Sequence, residues 1–177
     1  ARHIRSEHHE LSFGPDDLSR ILPQLVAHMD EPLADSSLVP TWRLMEGVAA
    51  AGLKCVMSGD GADESLAGYP TYAAHRVAGA ATQARGLLHR FRPLLPTSYS
   101  GVSADYKAKR FVDGLGHAWA RRHQIWMGAW LPEELSGLDP EVWAPVDAHA
   151  QMAAQGDAPG RAMYLDQRLY LSDGILV

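Results

Sequence analysis

Glycines alternate with polar residues in one short stretch of this chain, Ser58-Gly59-Asp60-Gly61. Glycine permits sharp turns and lets a backbone approach a ligand closely. Backbone amide groups in such a turn are suited to holding phosphate oxygens. The stretch therefore predicts a turn that binds an anionic ligand.

Carboxylates follow immediately, because Asp60, Asp63 and Glu64 lie close together where a helix is predicted to begin. Acids in the first turn of a helix suit its dipole, which is the simpler interpretation of Asp63 and Glu64 taken alone. Beside a phosphate-binding turn, however, carboxylates favour a divalent metal or an amino group. A calcium loop fits less well, since the alternating ligand spacing and the distal glutamate are missing.

The elements that must position these residues are a strand and a series of helices. An apolar run over residues 53–57 predicts a buried strand that holds Cys55, the one cysteine, as an inert thiol. In open parallel sheets, ligands bind beyond the carboxyl ends of strands, so this strand would place the turn at a binding edge. A further short strand is predicted over residues 7–13. Helices are predicted from Pro15, with Pro23 kinking or splitting the first one, and over residues 71–84, 84–95, 104–115, 118–131 and 163–177.

Composition sets broad limits on function. The chain has 177 residues, 46% of them apolar, and a formal net charge of −5. This balance predicts a folded domain with a core and argues against a nucleic-acid-binding surface. No apolar run approaches membrane-spanning length, and a single cysteine suits a reducing compartment, so we expect a cytoplasmic protein.

Two motifs together resemble segments of the glutamine-dependent asparagine synthetases. Residues 58–69, SGDGADESLAGY, are similar to the family segment S-G-[DE]-G-x-D-E-x-x-x-G-Y. Residues 30–41, DEPLADSSLVPT, are similar to D-E-P-x-x-D-x-S-x-x-P-T, and the distance between the two motifs also fits. His8-His9-Glu10 resembles a preceding strand, and residues 164–176 resemble a helix that leads to a phosphate-binding lysine.

The resemblance implies a reaction and a role for each motif residue. The parent enzyme would activate the side-chain carboxylate of aspartate with ATP and Mg²⁺, and ammonia from an upstream glutaminase domain would then give asparagine, AMP and pyrophosphate. The implied roles are ATP contact for Ser58, Gly59 and Gly61, support of intermediate formation for Asp60, Mg²⁺ coordination for Asp63, binding of the substrate's amino group for Glu64, and substrate binding for Asp35 and Tyr69. A homodimer is one assembly that the resemblance allows.

The same resemblance implies the fold class α/β. We expect part of a doubly wound parallel-sheet nucleotide-binding domain of the adenine nucleotide alpha-hydrolase type, followed by a mostly helical region. Residues 1–79 would form the α/β portion and residues 80–177 the helical portion of one synthetase domain. The family's upstream ATP loop and downstream lysine motif are not within these residues, so we interpret the chain as an internal piece that is inactive alone.

Two other functions stay open. A related ligase that amidates another carboxylate or closes a lactam ring would share these motifs. A helical interaction module without catalytic activity is the alternative from a different class, and the retained Ser58, Gly59, Asp63 and Glu64 argue against it.

Overall fold

A computed structural model describes residues 3–29, 35–98, 102–128, 130–135, 137 and 140–175. The chain divides into two compact units, residues 1–59 and 60–177. The expected division at residues 79 and 80 stays a prediction. The α-helices of the described residues are α1 Pro15–His28, α2 Leu38–Ala50, α3 Ala62–Leu66, α4 Pro70–Gln83, α5 Arg85–Phe91, α6 Ala104–Gly114, α7 Trp119–Met127, α8 Ala144–Met152 and α9 Ala158–Leu165. Short 3₁₀-helices cover Arg92–Leu94 and Pro140–Trp143, and a π-helix covers Asp166–Ile175.

The first unit is a pair of helices, α1 and α2. Helix α1 begins at Pro15 as predicted and continues through Pro23 to His28, so the predicted split at Pro23 is wrong. Its buried residues Ile21 and Leu25 pack with Val39 of α2. These apolar contacts join the two helices and form the core of the unit.

The predicted α/β fold is wrong for the residues that the structure describes, because none of them forms a β-strand. Residues 7–13 and 53–57 have no regular secondary structure and are exposed throughout. Leu53 is 57% exposed, and Met57 is fully exposed. A strand gains its hydrogen bonds and its buried faces only from neighbouring strands, and no described segment supplies one. Cys55, predicted to be buried, is exposed for the same reason.

The second unit is helical, in agreement with the predicted helices in this part of the chain. Helix α4 packs against α9, and α6 packs against α7. Ala120, Val146 and Leu165 from three different helices form one buried cluster. Helix α8 and the start of α9 were not predicted; Asp157 caps α9 by accepting a hydrogen bond from the Gly160 backbone N–H at 2.9 Å.

Candidate functional site

The glycine-rich turn continues into a very short helix in the second unit. Gly61 has φ of 84° and Ala67 has φ of 60°, so left-handed residues lie at both ends of α3. Residues other than glycine are disfavoured at positive φ, which explains why glycine precedes the first residue of α3. Residues 60–69 are called the acidic corner below.

Asp63 of the acidic corner is exposed and lies directly against Gly68. A Cβ atom added to Gly68 would collide with the Asp63 carboxylate. The backbone N–H of Gly68 also donates to the Asp63 carbonyl at 3.0 Å. Glycine at position 68 therefore leaves the space that the Asp63 carboxylate occupies.

Glu64 has the opposite environment, since it is only 1% exposed. Its Oε1 atom accepts a hydrogen bond from the Tyr69 hydroxyl at 2.8 Å. Burial, and then the hydrogen bond to Glu64, raise the pKa of Tyr69, so the phenol stays protonated and donates. Within the described part of the chain, no lysine, arginine or histidine forms an ion pair with Glu64. Buried carboxylates usually have a cationic partner, so an incoming ammonium group would suit this position.

A chain of four buried polar side chains lies beside the acidic corner and is called the buried polar network. Tyr72 donates from its hydroxyl to Asp166 Oδ2 at 2.6 Å. Asp166 Oδ1 lies 2.7 Å from His123 Nε2, and His123 Nδ1 lies 3.1 Å from His75 Nε2. The four residues are between 0% and 5% exposed. The network joins α4, α7 and the start of the π-helix through buried hydrogen bonds.

The pKa values of two network residues are shifted by their surroundings. Burial, and then the charge of the neighbouring His123, lower the pKa of His75 to about 3. Burial, and then the hydrogen bond to Asp166, raise the pKa of Tyr72. Both groups are therefore neutral near pH 7, which reduces the cost of burying them.

Three of the predicted site residues belong to the first unit. Ser58 and Gly59 are exposed and have no regular secondary structure. Asp35 is half-buried, and its Oδ1 atom accepts a hydrogen bond from the Ser37 backbone N–H at 2.8 Å, just before α2 begins. Residues 30–34, which carry the rest of that motif, lie outside the described residues. Of the predicted site residues, the structure brings together those of the acidic corner: Asp60, Gly61, Asp63, Glu64 and Tyr69.

The acidic corner has two exposed carboxylates, those of Asp60 and Asp63. Among the residues with a described position, no three histidine, cysteine or acidic side chains are arranged to hold a metal ion. Mg²⁺ is commonly held by one or two carboxylates together with the phosphates of a substrate. The exposed Asp63 carboxylate fits that arrangement as a single protein ligand.

Several residues around the corner were not predicted from the sequence. Gln167 donates from Nε2 to the backbone carbonyl of Glu64 at 3.0 Å, although 103 positions separate the two. Tyr72 and His75 are three positions apart on α4, a helical spacing that could have indicated one shared face. His123 lies within α7, outside every motif identified in the sequence. No local signal points to Gln167.

No helix within the described residues is both long enough and apolar enough to span a membrane.

Comparison with known proteins gives a consistent result over the whole chain. The sequence model of the family described as Asparagine synthase matches residues 1–177. A Mycobacterium tuberculosis protein, named as a candidate glutamine-hydrolysing asparagine synthetase, is 28% identical over 184 residues, which is 100% of this chain and 28% of that protein. A Bacillus subtilis protein named asparagine synthetase [glutamine-hydrolyzing] 1 is 36% identical over 59 residues, covering 33% of this chain and 9% of that protein.

A Methanocaldococcus jannaschii protein with a similar name is 25% identical over 148 residues, covering 80% of this chain and 26% of that protein. The chain thus spans little more than a quarter of the length of the mycobacterial and archaeal relatives. No solved structure matches the chain significantly. Because the family match extends from the first residue to the last, the chain belongs to the asparagine synthase family.

Proposed function

We propose that this chain is part of an ATP-dependent carbon–nitrogen ligase that converts aspartate to asparagine. Membership of the asparagine synthase family supports the class of reaction. The observation that carries the proposal is the acidic corner, where an exposed carboxylate, Asp63, and a buried one, Glu64, are adjacent on α3.

The proposed reaction has two steps. An oxygen of the aspartate side-chain carboxylate attacks the α-phosphorus of ATP, the bond to the β-phosphate oxygen breaks, and pyrophosphate leaves. Ammonia then attacks the acyl carbon, the bond from that carbon to the bridging oxygen breaks, AMP leaves with this oxygen, and the nitrogen gives up a proton. Ammonia would come from glutamine through a glutaminase domain of the parent protein.

The backbone around the turn would bind the nucleotide. In this proposal, Ser58, Gly59 and Gly61 contact ATP, because glycine-rich backbone can approach phosphate oxygens closely. Asp60, exposed at the start of the corner, supports formation of the intermediate. When bound by Asp63, Mg²⁺ would neutralise charge on the phosphate oxygens.

The amino-acid substrate would bind at the buried side of the corner, where Glu64 lies. Glu64 would pair with the substrate's ammonium group, while Tyr69 and Asp35 contribute to substrate binding. Glu64 is 1% exposed. The ammonium group would therefore enter the space around the Glu64 carboxylate that neighbouring residues enclose. A charged partner there would offset the cost of keeping a carboxylate buried.

The experiment is pyrophosphate release by the full-length gene product with ATP, Mg²⁺ and L-aspartate. Asp63→Ala should lower the Mg²⁺-dependent rate by about 100-fold or more, while glutaminase activity is retained. Asp147→Ala is the matched control, because that half-exposed carboxylate pairs with Arg121 at 2.9 Å and not with a residue of the corner. Unchanged pyrophosphate release by Asp63→Ala would refute the metal assignment.

Two further arms test the identity of the reaction. Replacing L-aspartate with other carboxylates, including precursors of lactam rings, separates asparagine formation from the related ligase reactions. The 177-residue chain alone should make no asparagine from ATP, Mg²⁺, aspartate and ammonia, since residues 1–177 represent 28% of the mycobacterial relative's length. Steady asparagine and AMP production by this chain would contradict that expectation.

A further inference from the structure

The π-helix Asp166–Ile175 has contacts with the acidic corner at several positions. Gln167 bonds to Glu64, the Tyr170 ring lies 6.3 Å from the Tyr69 ring, and Leu171 lies next to Gly61. A Cβ added to Gly61 would lie 3.3 Å from a Leu171 methyl carbon. π-helical segments are rare and occur frequently at functional sites. The widened helix therefore lies against the corner with side chains from more than one turn.

Gln167 satisfies a backbone group that α3 cannot satisfy internally. The last carbonyls of any helix have no partner within it, and α3 has only five residues. The Gln167 side-chain amide donates to the Glu64 carbonyl at 3.0 Å. This hydrogen bond holds the backbone from which the buried Glu64 carboxylate projects.

The buried polar network fixes the residue next to Gln167. Asp166 is 1% exposed and accepts hydrogen bonds from Tyr72 at 2.6 Å and from His123 at 2.7 Å. Because Tyr72 lies on α4 and His123 on α7, the start of the π-helix is held by two other helices. Gln167 thus follows directly on a residue that two helices outside the corner hold in place.

We propose that Gln167 is a positioning residue that holds Glu64 in place for the amino-acid substrate, acting through the Glu64 backbone and without contacting substrate itself. This inference rests on the proposed function for the role of Glu64. It gives the π-helix a specific role, in which Asp166 fixes the helix start and Gln167 transmits that fixed position to the corner. Loss of the Gln167 hydrogen bond should weaken binding of the amino acid and leave binding of the nucleotide largely unchanged.

The test uses Gln167→Leu in the full-length gene product, with L-aspartate, ATP and Mg²⁺. Loss of one hydrogen bond should raise the KM for L-aspartate about fivefold and leave the KM for ATP within about twofold. Hydrogen–deuterium exchange, which needs no activity, should become faster over residues 62–68 and stay unchanged in α1. Gln167→Glu, which replaces the donor by an acceptor at the same size, should show at least the same changes.

Gln151→Leu is the matched control, since Gln151 is exposed on α8 and undergoes the same chemical change. It should alter neither KM nor the exchange of residues 62–68. Unchanged exchange in both Gln167 variants would overturn the inference, and so would an equal rise of the two KM values. If the wild-type protein released no aspartate-dependent pyrophosphate, the proposed function would fail, and the exchange data alone would decide whether Gln167 holds the Glu64 backbone.

Discussion

Residues 53–59 and residues 60–69 are consecutive in the chain, yet their positions are determined in different ways. Every residue of the first segment is exposed and without regular secondary structure. The second segment contains the buried Glu64, which is linked to Tyr69 and to the distant Gln167. A turn and a short helix can be stabilised by nearby helices, whereas a strand needs a neighbouring strand along its whole length.

This difference in burial predicts which mutations change the stability of the folded chain. Changes in the acidic corner or in the buried polar network should affect folding, because their polar atoms are paired in a buried environment. Changes in residues 53–59 should have little effect on the stability of the chain. The experiments below test this contrast in the 177-residue chain, beginning with the largest expected effect.

Asp166→Ala should have the largest effect. It removes the acceptor of two buried hydrogen bonds and leaves the Tyr72 hydroxyl and the His123 imidazole without their partner. We expect the free energy of unfolding to fall by about 3–5 kcal/mol. Urea unfolding followed by tryptophan fluorescence measures it, because Trp126 packs against His75 at 4.6 Å between ring centroids.

The control for Asp166 is Asp147→Ala. Its ion pair with Arg121 is about half exposed at both partners, so its loss should cost less than about 1 kcal/mol. Equal losses in the two variants would show that the buried polar network contributes no more than a surface pair.

The second effect is a pH dependence that originates in His75. Burial, then the nearby His123, and then Arg122 and Arg161 lower the pKa of His75 to about 3, from 6.5 for an unperturbed histidine. Between these values the unfolded chain binds a proton that the folded chain does not. The free energy of unfolding should therefore decrease by about 1.4 kcal/mol for each pH unit below 6.5.

This dependence can be isolated by comparing His75→Phe with the wild type at several pH values between 7 and 4.5. The variant should lose the contribution of one histidine to the slope. His89→Phe, at an exposed position of α5, should keep it. An identical slope in the wild type and His75→Phe would mean that His75 is not held neutral in the folded chain.

The third effect is steric and lies within the acidic corner. Gly68→Ala would place a methyl group against the Asp63 carboxylate, so Asp63 or the backbone must move. Overpacking of this kind should lower the free energy of unfolding by about 1–3 kcal/mol. Gly79→Ala is the control, because no atom lies within 4 Å of an added Cβ at that position in α4. It should stabilise the helix by about 0.5–1 kcal/mol.

Local signals in the sequence predicted most of the helices, although not α8 or the start of α9, and they predicted a sheet that the described residues do not form. Pro15 at a helix start and the helical pattern of the second unit depend on residues close in sequence, and the structure agrees with them. The apolar run at 53–57 has the composition of a buried strand. Whether it forms one depends on partner strands elsewhere, and composition carries no information about their presence.

The residues of the candidate site also differ in whether the sequence alone could identify them. The motif residues of the acidic corner could be selected because glycines and carboxylates stand close together in the sequence. Gln167 and Asp166 could not, since they reach the corner and α4 across about a hundred positions. A glutamine or an aspartate in a helix has many uses, and only the packing of α4, α7 and the π-helix determines which neighbours these two meet.

The smallest effect concerns Cys55, which lies in the exposed segment. Because its side chain is exposed, Cys55→Ser should change the free energy of unfolding by no more than about 0.5 kcal/mol. For the same reason, the folded chain should react with a thiol reagent about as fast as an unstructured peptide does, which absorbance measurements can follow. Protection of about 100-fold would contradict the exposed conformation, because only a buried segment restricts access to that extent. Such protection would also remove the contrast with residues 60–69, since both halves of the motif would then be packed.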